Sequence, residues 1–164
     1  DDIFMGRIET VWSSAAALEE QVLDADVIIG AVLIPGAAAP KLITRSLVSQ
    51  LQKGTVMVDV AIDQGGCFET SRATSYQDPS YEVDGVVHYC VANMPGGVAR
   101  TATLALTNAT LPYVVRLANS GLDALRDDPR FALGLNVHDG KLTHAGVGEA
   151  FSLDVVAVQD ALKL

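Results

Sequence analysis

Polar side chains that could act on a small molecule follow three predicted strands, at the point where each strand ends. Residues 61–66, Ala-Ile-Asp-Gln-Gly-Gly, place the carboxylate of Asp63 shortly before two glycines. Residues 92–97, Ala-Asn-Met-Pro-Gly-Gly, carry the amide of Asn93, and residues 31–36 form an apolar wall. Because ligands collect outside the carboxyl ends of the strands in an open parallel sheet, we expect the three loops to surround a small-molecule pocket.

Asp63 is the residue whose position points most directly to chemistry. Its carboxylate follows a strand and precedes Gly65 and Gly66, where it could accept a proton from an amine or a water, or a hydrogen bond from a ribose hydroxyl. An aspartate at such a place also often caps a turn by bonding to the nearby backbone. Position alone leaves the site role and the turn role equally open.

The other polar residues near these strands have a structural interpretation. Asp59 lies inside a predicted strand, which favours a role as acceptor for neighbouring donors over a role in a site. His88 is likewise predicted to pack within its strand rather than to act as a base. Judged by position alone, Asn93 and Met94 are interpreted as turn and core residues.

Three β-branched runs predict the strands that hold these loops. They are residues 26–30, 55–60 and 86–91. The first two are almost continuously apolar, as expected of parallel strands that are covered on both faces. A weaker fourth strand is predicted at residues 7–10. Strand, helix and strand in succession predict one right-handed βαβ unit between the first two runs.

Helices are predicted between the strands and after the last one. The pair Ser13-Ser14 can cap a first helix, and Pro40 and Gly54 mark the start and the end of a second. A long apolar helix is predicted over residues 101–120, with Pro112 kinking or dividing it. Because this helix is apolar on most sides, we expect it to be buried, in part against another subunit or a further domain. Residues 126–130 and 136–140, which follow it, are predicted to be loops.

Composition and charge exclude several classes of protein. The 164 residues are 49% hydrophobic and only 5% aromatic, which favours helices packed on a sheet. A net charge of −9 without a basic run argues against nucleic acid and anionic membrane surfaces as partners. No apolar stretch reaches the roughly 20 residues of a membrane helix and no export signal is recognisable, so we expect a cytoplasmic protein. Cys67 and Cys90 lack the spacing of metal ligands and are predicted to be reduced thiols, with no metal site.

The glycine-rich loop of a dinucleotide-binding domain is absent from the sequence. Such a domain carries G-x-G-x-x-G between its first strand and helix, whereas here only Gly146-Val-Gly148 occurs, without a buried strand before it. The chain also begins with Asp1 rather than methionine. We therefore interpret it as a part of a longer protein. The predicted fold is α/β, a partial Rossmann-type doubly wound parallel sheet followed by long helices.

Several ordered motifs resemble one known family, alanine dehydrogenase. The resemblance extends from about residue 7 to residue 151. Five segments carry it: residues 30–36, 39–43, 58–69, 89–95 and 105–113. Their order along the chain makes the resemblance far more specific than any single motif.

The resemblance implies an NAD-dependent oxidoreductase that deaminates L-alanine reversibly to pyruvate and ammonia, and a homo-oligomer. It assigns residues 1–100 to the C-terminal half of the NAD-binding Rossmann domain, and residues 101–164 to a long connecting helix and a segment returning to a substrate domain. Asp63 would be the acidic residue of the active site. Cofactor contacts would come from Ser13, Val32, Leu33, Val60, Asp63, Val91, Ala92, Asn93 and Met94. The Arg, Lys and His residues that hold the substrate in this family belong to an N-terminal domain, so we expect the chain to be inactive alone.

Two alternatives stand beside this interpretation. One is the NAD-binding subunit of proton-translocating transhydrogenase, which shares the fold but usually lacks the Ile-Asp-Gln-Gly-Gly form of residues 62–66. The other is a non-catalytic remnant that serves as an interaction module through the apolar helix of residues 101–120. A G-x-G-x-x-G loop and a substrate domain in the full-length protein would separate the enzyme from the remnant.

Overall fold

The computed structural model describes residues 3–34 and 38–163, which form two compact units. The first unit comprises Asp1–Leu33 and Ala38–Asn93, and the second comprises Ile34–Ala37 and Met94–Leu164. Each unit has its own cluster of buried apolar side chains. The boundary at residue 100 that the family resemblance implies stays a prediction.

The first unit is built around a four-stranded sheet with the order β1-β2-β4-β3. Its strands are β1 (Val27–Gly30), β2 (Val56–Asp59), β3 (Ser80–Val83) and β4 (Val86–Tyr89). β1, β2 and β4 are parallel, which confirms the α/β class and the three predicted strands. β3 pairs antiparallel with β4, and the sequence does not predict it because its side chains are half-buried or exposed rather than apolar and buried.

The weaker strand predicted at residues 7–10 is wrong. Residues 3–8 form turns and bends, and the side chains of residues 3–16 are exposed. A strand gains stability only when it pairs with a neighbour. β1 is the edge of the sheet, and within the described residues no strand pairs with its outer side.

The first helix, α1, spans Ala15–Leu23 and has a serine cap. The hydroxyl of Ser14 accepts a hydrogen bond from the N–H of Ala17 at 3.2 Å, which confirms the predicted start of the helix. Val22 is buried in the core of the unit, whereas the two glutamates of the helix are exposed. The amphipathic pattern therefore orients this helix as the sequence predicts.

The second helix, α2, spans only Arg45–Val48 and is capped by Thr44. The prediction of a helix that begins at Pro40 and runs on to Gly54 is wrong. The backbone N–H groups of residues 42 and 43 donate to the carbonyl of Cys67 at 2.7 and 3.5 Å, so they are committed to a distant loop and do not enter a helix.

Both helices pack on the same face of the sheet. On that face the register of the parallel strands places Ile28, Met57 and His88 side by side, and all three are buried. On the other face, Val27 and Ile29 of β1 are 55% and 66% exposed. The expectation that the apolar run of β1 is covered on both faces is therefore wrong within this chain, because both helices lie on one side.

The second unit contains one long helix, α3 (Ala99–Ser120), after a 3₁₀ turn at Met94–Val98. α3 confirms the predicted long helix, and it continues through Pro112 without dividing. None of its side chains is buried, and Leu106 is 66% exposed. The burial that the sequence predicts for this helix is not provided by the described residues.

Short elements follow α3, and some of them fall on residues 126–130 and 136–140, which the sequence predicts to be loops. They are α4 (Asp123–Arg126), α5 (Pro129–Ala132), β5 (Val137–His138), β6 (Lys141–Leu142), α6 (Ala145–Phe151) and α7 (Val158–Leu162). α5 forms because the Asp128 carboxylate accepts two backbone N–H groups at its start and Pro129 occupies the first turn. Among the described helices, none is both long and apolar enough to cross a membrane.

His88 of β4 is fully buried and has a partner at each ring nitrogen. Its Nδ1 lies 3.0 Å from the carbonyl oxygen of Val86, and its Nε2 lies 2.7 Å from Thr70 Oγ1. Because a carbonyl can only accept, Nδ1 carries the proton and Nε2 accepts from the threonine hydroxyl. The ring also stacks on Tyr81, with the ring centroids 5.0 Å apart. These contacts confirm the predicted packing of His88 within its strand.

Burial lowers the pKa of His88 below its ordinary value of 6.5, and the Val86 carbonyl and Asp59 oppose this only in part. The unfolded chain therefore binds the proton more readily, so the stability contributed by neutral His88 is present above pH 6.5 and is lost as the pH falls below it. Urea unfolding at about pH 7.5 and 5.5 should show a smaller loss of stability for His88→Gln than for the wild type. An equal loss in both proteins would contradict this prediction.

Candidate active site

The carboxyl ends of β1, β2 and β4 lie at one edge of the sheet, because the three strands are parallel. The ends of β1 and β2 lead into a cavity of about 410 Å³, a volume within the range of small-molecule sites. The cavity is lined by Ala31, Val32, Leu33, Val60, Ala61, Asp63 and Gln64. The structure therefore brings together four of the predicted site residues, Val32, Leu33, Val60 and Asp63.

The cavity has a largely apolar wall and few polar groups. Leu33 and Val60 are 70% and 50% exposed, although both side chains are apolar. Asp63 is exposed and adds a carboxylate to the same cavity. An apolar wall beside a carboxylate suits a ligand that has both a flat apolar ring and hydroxyl or amine groups.

Asp63 is carried by a 3₁₀ helix, Val60–Gln64, that continues directly from β2. Gly65 ends this helix with a φ of +88°, and its N–H donates back to the helix at 3.0 Å. The N–H of Gly66, with a φ of +75°, donates to the carbonyl of Ala61 at 3.0 Å. Two consecutive left-handed residues reverse the chain, which is the physical reason for the glycine pair. We call residues 60–66 the Asp63 turn.

The buried carboxylate of Asp59 holds the chain beyond the glycine pair. Its Oδ2 accepts hydrogen bonds from the N–H of Cys67 at 2.9 Å and from Ser71 Oγ at 2.5 Å. The thiol of Cys67 donates to its Oδ1 at 3.5 Å. These contacts confirm the interpretation of Asp59 as a structural acceptor. They also connect the end of β2 to the residues that follow the Asp63 turn.

Cys67 and Cys90 are free and buried, which agrees with the prediction of reduced thiols. Burial, and secondarily the adjacent Asp59 carboxylate, raise the pKa of Cys67 to about 11. Cys67 is therefore a thiol that donates to Asp59, not a thiolate that attacks a ligand. Among the described residues, no group of three or more His, Cys, Asp or Glu side chains could hold a metal ion.

The remaining predicted cofactor contacts lie outside the cavity lining. Val91 follows β4 and is completely buried in the first unit. Ala92 and Asn93 are exposed, and Asn93 has a left-handed φ of +58°. Met94 belongs to the second unit, and Ser13 lies exposed just before α1. Their roles as cofactor contacts stay predictions.

Four residues in or near the cavity are not among the site residues that the sequence predicts individually. Ala31, Ala61 and Gln64 line the cavity, and only the loops that contain them are predicted. Lys41 donates to the carbonyls of the glycine pair through its side chain. Nothing in the local sequence signals that contact, because the acceptors lie 24 and 25 positions away.

Comparison with known sequences identifies the family. The sequence profile of the family described as alanine dehydrogenase/PNT, C-terminal domain, matches residues 1–145. The chain belongs to this family. It is 67% identical over 157 residues to an alanine dehydrogenase from Halomonas elongata, which covers 95% of this chain and 42% of that relative. An alanine dehydrogenase from Staphylococcus haemolyticus is 52% identical over 165 residues, covering 99% of this chain and 44% of that relative.

Solved structures agree with the family assignment. An L-alanine dehydrogenase matches with a TM-score of 0.78 and 54% identity, covering 92% of this chain and 42% of that one. A transhydrogenase from Sinorhizobium meliloti matches with a TM-score of 0.61 and 26% identity, covering 81% of this chain and 36% of that one. The resemblance to alanine dehydrogenase drawn from the motifs is confirmed. The chain spans less than half the length of each of these relatives.

The glycine pair allows a test of how tightly the Asp63 turn is held. A Cβ at Gly65 would meet no atom within 4 Å, whereas a Cβ at Gly66 would lie 2.7 Å from both Asp59 Oδ2 and Ser71 Cβ. Gly65→Ala should therefore cost only the left-handed backbone strain, about 1–2 kcal/mol of unfolding free energy, and Gly66→Ala should cost clearly more. Urea denaturation of the two variants measures the difference. Equal losses of unfolding free energy would contradict this prediction, because they would show that Asp59 and Ser71 move aside to accommodate the added methyl group.

Proposed function

We propose that this chain is the C-terminal part of an NAD-dependent alanine dehydrogenase. The observation that carries the proposal is the 67% identity with the Halomonas elongata alanine dehydrogenase across 95% of this chain. The whole protein would act as an oxidoreductase on the amine-bearing carbon of L-alanine. In the oxidative direction, L-alanine, NAD and water give pyruvate, ammonium, NADH and a proton.

The proposed domain organisation follows from the family. Residues 1–100 form the C-terminal half of the NAD-binding domain, and residues 101–164 form the long helix and a segment that returns to a substrate domain. The three parallel strands, with a cavity at the carboxyl ends of β1 and β2, support the first assignment, because nucleotide sites in open α/β sheets lie at that edge. The 22-residue helix α3 supports the assignment of residues 101–164, which begin with this helix.

The cavity of the first unit suits the nicotinamide end of NAD. Val32, Leu33 and Val60 offer an apolar surface to a flat ring, and Asp63 offers a carboxylate to ribose hydroxyl groups. When bound, the nicotinamide takes the hydride from the substrate carbon or returns it. The proposed contacts outside the cavity are Ser13, towards the adenosine, and Val91, Ala92, Asn93 and Met94.

Asp63 is the proposed acidic residue of the reaction. Within the described cavity lining it is the ionisable side chain. In the oxidative direction the amine of L-alanine has to give up a proton, and a water molecule has to be activated before ammonium can leave. A carboxylate within hydrogen-bond reach can accept these protons, or can hold the water and a ribose hydroxyl in place.

We further propose that the whole protein is a cytoplasmic homo-oligomer whose partners are small molecules. The two free, buried thiols fit a reducing compartment. The net charge of −9 fits small-molecule partners better than nucleic acid. The exposed apolar side chains of α3 offer a surface that a second subunit can cover.

In the full-length protein, Asp63→Asn should lower kcat for alanine oxidation by roughly 10²- to 10⁴-fold, the range of general acid–base catalysis. Because Asp63 is exposed and the turn is held by other groups, the unfolding free energy should change by less than about 0.5 kcal/mol. NADH formation from L-alanine and NAD measures turnover.

The matched control for this variant is Asp26→Asn, an exposed aspartate just before β1 at the opposite end of the strands. This control should keep the wild-type turnover. Near-normal turnover in Asp63→Asn would remove Asp63 from the mechanism. A full-length wild-type protein without alanine oxidation or pyruvate amination would overturn the proposed function itself.

The apolar surface of α3 gives a separate prediction for the homo-oligomer. Leu106→Asp places a charge on a side chain that is 66% exposed in this chain, so it should weaken assembly if a second subunit covers the helix. Light scattering after size exclusion should show a smaller particle than for the wild type. Asn108→Asp, an exposed polar position on the same helix, is the control and should assemble normally. Unchanged size and stability in Leu106→Asp would show that α3 is not buried in an interface.

A further inference from the structure

The side chain of Lys41 binds the backbone of the glycine pair, a contact that the proposed mechanism does not use. Its Nζ lies 2.6 Å from the carbonyl oxygen of Gly65 and 2.7 Å from that of Gly66. One ammonium group therefore donates to two successive carbonyls. The glycine pair can present both carbonyls to one cation because its φ angles, +88° and +75°, are left-handed.

The contact joins the turn that carries Asp63 to the segment of residues 38–43, which precedes α2. Lys41 lies in this segment, eight positions after Leu33 of the cavity wall. The glycine pair belongs to the segment after β2, which supplies Val60 and Asp63. The lysine side chain therefore ties the turn that carries Asp63 to residues 38–43.

Backbone hydrogen bonds flank the lysine contact on both sides. The N–H of Ala39 donates to the carbonyl of Gln64 at 2.9 Å, and the N–H of Leu42 donates to the carbonyl of Cys67 at 2.7 Å. Between these two bonds, the carbonyls of the glycine pair are bridged by Lys41 Nζ. The side chain thus supplies the middle one of three successive connections between the segments.

The Asp63 turn is consequently held from two sides. On the buried side, Asp59 binds the residues that follow the glycine pair, and this contact belongs to the core. On the exposed side, the cation of Lys41 binds the glycine pair itself. Loss of the lysine contact would release the two residues with the widest backbone freedom while the core contact persists. The turn would shift and the fold would remain.

We propose that Lys41 is a positioning residue that fixes the Asp63 turn, and with it the Asp63 carboxylate, at the edge of the cavity. This inference rests on the proposed alanine dehydrogenase function. Lys41 acts through the carbonyls of the glycine pair and does not touch the reacting atoms. A displacement of about 1 Å in a reacting group can lower a rate by about a hundredfold, so a modest shift of Asp63 is enough to be measured.

The test is a double-mutant cycle between Lys41→Met and Asp63→Asn in the full-length protein. Lys41→Met keeps the length of the side chain and removes its donors. It should lower kcat/KM for NAD about tenfold or more when Asp63 is present, and less than about twofold when Asp63 is already Asn. Lys53→Met, an exposed lysine at the amino end of β2, is the matched control and should leave kcat/KM unchanged in both backgrounds.

The possible outcomes separate a positioning role from a structural one. An equal loss in both backgrounds would overturn the inference, since a general defect in folding does not depend on Asp63. An unchanged kcat/KM in Lys41→Met would overturn it as well. An inactive wild-type protein would refute the proposed function instead. If Lys41→Met fails to fold, Lys41→Leu, which also has no donor, takes its place in the same cycle under the same criteria.

Discussion

Asp59 is a fully buried carboxylate at the end of β2, and its oxygens need partners that solvent does not supply. The chain provides them with the N–H of Cys67 and the hydroxyl of Ser71, both of which lie beyond the glycine pair. The segment between must leave the sheet, reverse and return within a few residues. Asp63 lies on the outer side of this excursion. The position of the exposed carboxylate therefore follows from the requirements of the buried one.

The same constraint explains why small residues surround Asp59. A side chain at Gly66 would enter the space of Asp59 and Ser71, and a side chain at Gly30 would run into Cys67 and the ring of Phe68. β1 and β2 consequently end in tightly packed backbone, with the cavity formed by the segments that leave them. The stability of the core and the shape of the candidate active site thus depend on the same few contacts.

Sequence reasoning succeeds here where the signal is local. The β-branched runs of β1, β2 and β4 and the serine cap of α1 are read from neighbouring residues, and the structure contains all of them. It fails where a partner lies far along the chain. The segment after Pro40 resembles a helix start, but its N–H groups bind the carbonyl of Cys67. The antiparallel strand β3 depends on its pairing with β4 and has little apolar signal of its own.

The candidate site shows the same division between local and distant information. Asp63 can be suspected from its place between a strand and two glycines, whereas the apolar contacts Val32, Leu33 and Val60 are implied only by the family resemblance. The structure places all four around one cavity. The bridge from Lys41 to the glycine pair needs the folded chain, since its acceptors are 24 and 25 residues away.

The thiol of Cys67 is fully buried beside Asp59 and the end of β1, and its pKa is raised to about 11. Neither access nor ionisation allows it to react with an electrophile in the folded chain. Modification of this thiol would therefore require a transient local opening of the structure. The modification rate would then measure how often this opening occurs. Cellular oxidants meet the same barrier as a laboratory reagent. In this protein, the resistance of the thiol to oxidative damage is therefore set by how rarely the core around Asp59 opens.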